Sequence, residues 1–562
     1  MLRPNPALRK RRPAQSGDPS ALLYVPTGAD TSPCDLLYEE PIGRLDVPAA
    51  REALTFAFAS GDGDVFTRLL DHTPTAPSRF AHEDFAHDLR LEHFIQRCMP
   101  IVAAKHVLPP TGSYLRRVIG APPVERAHVE LRQQVCAELA SSSQLAERFE
   151  QLYLALLQLR QRISRPSIGI QEGIERRLGI LAALRSVIEA LARDFAGTTS
   201  ALARLHHFGR SMFDTSGYRR LCELLEYEER RAELDLRVSV GFDGRIRSFQ
   251  LLERRENRSN AFYASPLGRL WTRLGLLLDG YGAAPGEILS RLVDAVFSEL
   301  EADVVFLFQL IGDMEVYLAA LGLRRLAARA GFAVCLPELS DSGPRQLSVL
   351  FNPWLVAEGR PCVPLDLQLG EAEHVVLITG PNSGGKTRLL QSLCLSQLLG
   401  QAGLFVPAAR AELRWATGLF ASLLEDAPVD PVEGRLGTEL MRIRRAFERL
   451  GPGSMVVMDE LCSGTNPSEG EELMELVLEA LSELEPQAFI TTHFLAFAAR
   501  LARRAPEHRF LQAELDAAER PTFAFRDGVA SSSLARRVAE RLGVTREGLR
   551  ALREQNARTA RG

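Results

Sequence analysis

Eight consecutive residues, Gly380, Pro381, Asn382, Ser383, Gly384, Gly385, Lys386 and Thr387, combine glycines, a cation and a hydroxyl in the order used to hold phosphate. Glycines let backbone N–H groups close around an anion, and the positive end of a following helix adds to the attraction. In such a loop Lys386 reaches the β- and γ-phosphates and the Thr387 hydroxyl ligates Mg²⁺. Downstream, Asp459 and Glu460 are adjacent acids: the first suits a magnesium ligand, the second a base for the attacking water. His493 suits a γ-phosphate sensor or a water-orienting group. The chemistry expected is ATP or GTP binding and hydrolysis. The bland alternatives are a Gly-rich turn closing a βα unit, ordinary acids at a helix start, and a structural histidine.

The elements that must position these groups are legible. An apolar run, Val375 to Thr379, precedes the glycines, and Leu389 to Leu393 begins a helical pattern after them, so strand, loop and helix follow in the order a P-loop requires. Ser454 to Met458 is an apolar strand ending at the two acids. Ala488 to Thr492 is another, ending at His493. Acids at the C-terminal ends of parallel strands face the phosphate crevice.

These blocks resemble the MutS family. Gly380-Pro-Asn-Ser-Gly-Gly-Lys-Thr387 is similar to that family's P-loop, Asp459-Glu460-Leu461-Cys462-Ser463-Gly464-Thr465 to its acidic strand and turn, and Thr491-Thr492-His493-Phe494 to its histidine switch. Phe405-Val406-Pro407-Ala408 resembles the segment after the P-loop helix. Asn352-Pro353, Val363-Pro364-Leu365-Asp366 and Gly528 to Ser533 resemble weaker family blocks. The match runs from about Asn352 to Leu552 in the right order. More weakly, Asp88 to Ile95 and Thr111 to Arg116 resemble the start of a MutS core domain. The resemblance implies ATP and Mg²⁺ as cofactors, Gly380 to Thr387 as the nucleotide loop, Thr387 and Asp459 as metal ligands, Glu460 and His493 as catalytic groups, and a homodimer acting on mismatched or branched DNA.

Departures from the family pattern accompany the match. No Phe-x-Glu reading motif lies in a suitable N-terminal domain, and the roughly 85 residues before the core are too few for two N-terminal recognition domains. No nuclease-like C-terminal segment is recognised. The family's Gly-x-Ser-x-Phe loop, which reaches a partner's ATP, reads here Glu433-Gly434-Arg435-Leu436-Gly437-Thr438-Glu439, without the serine. A nucleotide-controlled protein scaffold that does not bind DNA is therefore the alternative. A transporter-type ATPase is disfavoured, because no Leu-Ser-Gly-Gly-Gln signature precedes Asp459.

Composition sets outer bounds. The 562 residues, 46% apolar and 25% charged, fit several globular domains. A net charge of −4 disfavours non-specific coating of nucleic acid but permits local basic faces. Eight scattered cysteines without a C-x-x-C pair indicate neither a disulfide framework nor zinc, and fit a reducing, cytoplasmic setting. No apolar run approaches the roughly 18 residues of a membrane span.

The expected fold is multidomain: a helical core or lever domain, then an α/β P-loop NTPase domain of ABC type, then a C-terminal helix-turn-helix. Residues 1–20 read as a disordered basic tail, 21–87 as a small accessory region, 88–335 as the helical domain, 336–530 as the ATPase and 531–562 as dimerising helices. Leu145, Phe149, Leu152, Leu156, Leu159 and Ile163 form a heptad seam. Ile174 to Phe195 forms a second apolar stripe, and Val304 to Leu321 a third. Such helices serve as levers or as a plain bundle. Residues 233–250 read as a β-hairpin turning at Asp243-Gly244. Arg245 and Arg247 on the hairpin, and Arg165 between the first two stripes, are candidate DNA contacts; a solvated charged face is the default. Arg160, Arg162, Arg176 and Arg177 accompany Arg165. Ser533 and Thr545 are expected N-caps.

Overall fold

The computed structural model describes residues 32–40, 46–167, 170–229, 232–240, 246–256, 285–381, 383–423, 434–462, 466–518, 520–530 and 544–559. Helix α1 (Val47–Ser60) begins where the Asp46 carboxylate accepts the Ala49 N–H at 3.1 Å, with proline in its first turn. There follow α2 (Val65–His72), α3 (Leu91–Cys98), a short hairpin of β1 (Ile101–Ala103) and β2 (His106–Leu108), α4 (Tyr114–Gly120) and α5 (Arg126–Ser141).

Two long helices come next, α6 (Ser143–Ser164) and α7 (Ile170–Asp194), packed on each other. The heptad seam of α6 is buried from Phe149 to Ile163, and the stripe of α7 is buried from Leu181 to Leu191. Arg165-Pro166-Ser167 falls in the break between them, where proline cannot extend a helix interior. Helices α8 (Ala203–Phe213) and α9 (Ser216–Glu229) lead to an antiparallel pair, β3 (Ala232–Val240) and β4 (Ile246–Glu256). Val238 pairs with Phe249 and Leu236 with Leu251, so the ladder runs further than the sequence pattern indicates. The Asp243-Gly244 turn lies outside the described residues.

Helix α10 (Pro285–Arg329) is the axis of the helical region and packs against α1 to α7, α9 and β1. The sequence pattern gives it one apolar stripe, yet every residue from Leu307 to Leu323 is buried. A helix enclosed on all sides is a core helix rather than a one-seam lever. By length and composition alone it is apolar enough to cross a membrane, but that stretch is almost wholly buried within the protein. Gln309, Asp313 and Glu315 interrupt its apolar run, and all three are satisfied internally. Asp313 accepts from the Tyr114 hydroxyl at 2.8 Å and the Leu36 N–H at 3.2 Å. Both Glu315 oxygens accept from Thr111 N–H at 3.0 Å, and the Tyr153 hydroxyl donates to Glu315 Oε1 at 3.0 Å. The segment around Leu36 and helices α1 and α2 share this core: Phe58 stacks on Phe297 at 3.7 Å and Phe66 meets Phe308 edge-on at 4.2 Å.

The chain then builds two sheets. One contains β5 (Glu338–Ser340), β6 (Arg345–Leu350), β7 (Leu365–Leu369) and β9 (Arg410–Arg414), in the order β5-β9-β6-β7. The other contains β8 (Val375–Thr379), β10 (Leu419–Ser422), β11 (Met455–Met458), β12 (Gln487–Thr492), β13 (Arg509–Leu515) and β14 (Pro521–Asp527). Its order is β10-β11-β12-β8-β13-β14, parallel except for β14. Parallel strands buried on both faces read as continuous apolar runs, as Val375–Ile378 and Met455–Met458 do. Helix α11 (Pro353–Ala357) lies between β6 and β7, and α12 (Lys386–Gln401) follows β8. Then come α13 (Gly434–Arg449), α14 (Pro467–Leu484), α15 (Leu495–Arg504) and α16 (Arg546–Thr559). Thr545 caps α16 by accepting the Gly548 N–H at 3.0 Å. Ser533 and the first helix expected at the C-terminus lie outside the described residues.

The buried Glu315 gives a pH test. Loss of water raises its pKa from the usual 4.5 to about 7, against the lowering effects of the Thr111 and Tyr153 hydrogen bonds and of Arg160 beyond them. The folded state therefore keeps a proton that the unfolded state releases. The stability this confers is complete below pH 4.5 and is lost as pH rises through 7. Thermal unfolding of Glu315→Gln should lack a dependence of about 1 kcal/mol per pH unit that the native chain shows across that window.

Candidate functional site

Strand β8 ends at Thr379, in register with Thr492 of β12 on one side and Gln512 of β13 on the other. The loop Gly380–Gly385 leaves from this central position and delivers Lys386 to the start of α12. Gly380 has φ +133°, and a Cβ on it would lie 2.8 Å from Ala513 Cβ; one on Gly384 would meet the same atom at the same distance. Gly385, at φ +89°, is the left-handed residue that turns the loop into the helix. Only glycine at these positions allows so close an approach of the backbone to its surroundings. Asn382 lies outside the described residues; Pro381, Ser383, Gly384 and Gly385 complete the loop around it. Gly384 N–H bonds Pro381 O at 2.9 Å.

The Lys386 side chain is 2% exposed. Its ammonium donates to Gly380 O at 2.9 Å and lies 3.7 Å from Glu460 Oε1. Burial pulls its pKa below the usual lysine value, opposed by the nearby Glu460 and Asp459. An ammonium held this way is stabilised by further negative charge.

Both acids come from the end of β11. Asp459 N–H bonds Ser422 O at 2.8 Å, which fixes the acid beside β10. Its Oδ2 accepts the Thr387 hydroxyl and its Oδ1 the Thr491 hydroxyl. Thr491 Oγ1 in turn accepts the Glu460 N–H at 2.7 Å. Glu460 and Cys462 adopt left-handed backbone angles, φ +51° and +60°. For non-glycine residues that conformation costs about 1–2 kcal/mol each, so the surroundings hold Glu460 where it faces Lys386. Ser463, Gly464 and Thr465 lie outside the described residues. His493 follows Thr492, is exposed, and packs on Phe494 at 4.3 Å.

Beside the loop is a cavity of about 540 Å³ lined by Asn352, Leu355, Ser383, Lys386, Thr387, Phe523 and Phe525. That volume lies within the range of small-ligand sites. Sequence reasoning missed Phe523. It is 47% exposed with φ +62°, and a Cβ on Gly385 would lie 3.6 Å from its ring. Nothing in the Thr522-Phe523-Ala524-Phe525 alternation distinguishes it from a strand residue; only the sheet's placement of β14 beside the loop does.

The donor set fits a nucleotide and a hard divalent cation. Glycine backbone and a buried ammonium suit phosphate, and a hydroxyl beside a carboxylate suits Mg²⁺. A family profile described as MutS domain V matches residues 376–556, which span the loop, both acids, His493 and Phe523. The region that holds the P-loop and both acids, residues 376–556, is that of the MutS family's domain V. Proteins named Endonuclease MutS2 are similar to it: one from Thermus thermophilus is 36% identical over 183 residues, 32% of this chain and 24% of that protein. Another from Thermomicrobium roseum is 31% identical over 251 residues, 42% of this chain and 31% of its own length. A third, from Pelotomaculum thermopropionicum, is 32% identical over 267 residues, covering 46% and 33%. The aligned stretch thus spans a quarter to a third of these MutS relatives.

The remaining expected residues are not gathered at this site. Arg165 is exposed at the end of α6. Arg247 belongs to β4, and Arg245 and both residues' side chains lie outside the described set. Three neighbours of Arg165 act within the helical region: Arg160 donates to Thr111 Oγ1 at 2.6 Å, Arg176 to Phe58 O, and Arg177 pairs with Asp294. Of the altered loop, Gly434 to Glu439 form the first turns of α13; the side chains of Arg435 and Thr438 are not described.

Two substitutions test the site. Lys386→Ala removes charge-assisted hydrogen bonds of roughly 1.5–3 kcal/mol each, so nucleotide affinity should fall by about a hundredfold or more. Unchanged ATP binding in a folded variant would defeat the assignment. Phe523→Ala should weaken nucleotide binding by about 1–3 kcal/mol if its ring stacks on the base, with kcat much less affected; equal affinity would remove it from the site.

Proposed function

We propose that this chain is a Mg²⁺-dependent ATPase that couples ATP binding and hydrolysis to recognition of mismatched or structured DNA. The observation that carries the reading is the Thr387–Asp459 hydrogen bond with Glu460 facing Lys386. It supports reading Lys386 as the phosphate-binding lysine, Thr387 and Asp459 as the metal-binding pair and Glu460 as the base.

When bound, Mg²⁺ supplies charge neutralisation on the β- and γ-phosphates. Thr387 Oγ1 and Asp459 Oδ2 are the residues that would hold it. The N–H groups from Ser383 to Thr387 bind phosphate oxygens. Lys386 leaves Gly380 O and Glu460 for them, which frees the Glu460 carboxylate to orient the attacking water and take its proton. Thr491 donates to the Asp459 carboxylate and accepts the Glu460 backbone N–H, which ties the Asp459 side chain to the backbone at Glu460. His493, one residue beyond the β12 strand end, is the proposed switch. Phe523 stacks the base.

DNA recognition rests on the MutS domain V match and on the basic hairpin, where Arg247, Arg254 and Arg255 are placed on β4. A homodimer is proposed from the same match, with α13 and α16 as candidate contact elements. A cytoplasmic setting rests on composition and cysteine usage alone. The nuclease activity in the relatives' names is not carried over, because the match covers only 24–33% of those proteins.

Steady-state ATPase assays with no DNA, plain duplex, a G·T mismatch and a four-way junction at one salt concentration test the reading. Stimulation by one DNA form is expected. In Glu460→Gln, turnover should drop by about 10²- to 10⁴-fold with ATP binding retained. Activity indifferent to every DNA would favour a nucleotide-controlled protein scaffold, and near-normal turnover in Glu460→Gln would remove it as the base.

A further inference from the structure

The five-residue helix α11 separates two cavities. Asn352 and Leu355 line the nucleotide cavity, while Trp354, Ala357 and Glu358 line a larger cleft of about 950 Å³. The opposite wall of that cleft is the segment His82–Arg97, with Arg116 of α4 at its side. Nothing in the proposed ATPase mechanism uses it.

Arg90, Arg97 and Arg116 line the cleft opposite Glu83, Glu92 and Glu358, and what sets the local charge is which of these are already paired. Two of its three glutamates pair with arginines that do not line it: Arg449 bridges Glu83 at 2.8 Å and Asp84 at 2.7 Å, and Arg360 lies 3.0 Å from Glu358. Glu92 has Arg116 at 3.9 Å. Arg90 and Arg97, both exposed in the cleft, have no ion pair among the described residues. Arg90 is also held at φ +49°, an angle uncommon for a non-glycine residue. Trp354 offers an aromatic wall, while its indole N–H is buried and has no acceptor among the described residues. Guanidinium groups with a flat apolar wall suit a small phosphorylated molecule.

Both walls connect to the nucleotide site. Asn352 caps α11 by accepting the Trp354 and Leu355 N–H groups at 3.0 and 3.2 Å. Its amide donates to Arg388 O at 2.9 Å, the residue after Thr387. On the other wall, Asp88 accepts the Leu423 N–H at 2.7 Å and Arg442 Nη2 at 3.2 Å. Arg442 Nη1 donates to Ser422 Oγ at 3.1 Å, and Ser422 O accepts the Asp459 N–H at 2.8 Å. A ligand that shifts either wall therefore pulls on the first turn of α12 or on the metal-binding acid.

We propose that this cleft is an effector site for a small phosphorylated anion of mononucleotide size, coupled to the P-loop through α11 and the His82–Asp88 segment. Its coupling rests on the ATPase reading above; its binding does not. The binding test is calorimetry on the full chain carrying Lys386→Ala, with inorganic pyrophosphate and AMP as probes and citrate as a carboxylate control. One phosphorylated probe should bind. Arg90→Asn with Arg97→Gln should weaken it by about tenfold or more at an unchanged melting temperature. Ala357→Phe, which narrows the cleft and leaves its charge intact, should weaken it too.

The coupling test is ATPase turnover of the chain with Lys386 intact. The probe should change turnover, and the Arg90/Arg97 variant should lose that response while its basal rate stays within about twofold. Absence of binding, binding that survives both variants, binding of citrate alone, or binding without an effect on turnover would each overturn the proposal. Normal ATP affinity in Lys386→Ala would instead refute the nucleotide-site assignment.

Discussion

The hydrogen bond from the Thr387 hydroxyl to Asp459 joins positions 72 residues apart, and much of the site's geometry depends on it. Asp459 is already fixed through its N–H on Ser422 and its second oxygen on Thr491, so the bond to Thr387 locks the start of α12 against the end of β11. Lys386, one residue earlier, is thereby held inside the loop, and Glu460, one residue later, is held opposite it. The left-handed backbone at Glu460 and Cys462 is the strain this arrangement carries, and strain of that kind persists where surrounding contacts over-determine it.

The ATPase half is not isolated from the helices before it. Arg132 of α5 is fully buried and donates to Leu37 O and to Ala402 O, both at 3.1 Å, so it grips the carbonyl end of α12. A guanidinium there also suits the negative end of the helix. Asn352 holds the other end through Arg388 O. Helix α12, whose residues are almost all buried, is thus fastened at both ends by elements outside the P-loop, one of them in the helical core. Movement of its first turn is transmitted because buried, close-packed elements shift as units rather than deform.

The site was legible in sequence because its signals are local. Glycines, lysine, threonine and strand-end acids sit at fixed spacing, and their roles follow from chain order alone. The strands β8, β11 and β12 were equally plain, since parallel strands buried on both faces are continuous apolar runs. What escaped was set by three-dimensional neighbours. Phe523 looks like an ordinary strand residue until β14 is placed beside the loop. The third apolar stripe predicts one seam of α10, but the structure satisfies Gln309, Asp313 and Glu315 with Asp35, Tyr114, Thr111 and Tyr153 and buries the helix on every side from Leu307 to Leu323. Several arginines grouped as a DNA-facing patch are spent on internal carbonyls, hydroxyls and carboxylates, a use that charge counting cannot see.

The central claim is that nucleotide at the P-loop is felt by the elements fastened to α12. Hydrogen–deuterium exchange of the full chain with and without Mg²⁺ and a non-hydrolysable ATP analogue tests it most directly. The account predicts added protection at Gly380–Thr387 and the end of β11, accompanied by altered exchange in α11, in the segment 82–90 and at the α5–α12 contact. Protection confined to the loop and β11, with those distant elements unchanged, would contradict it.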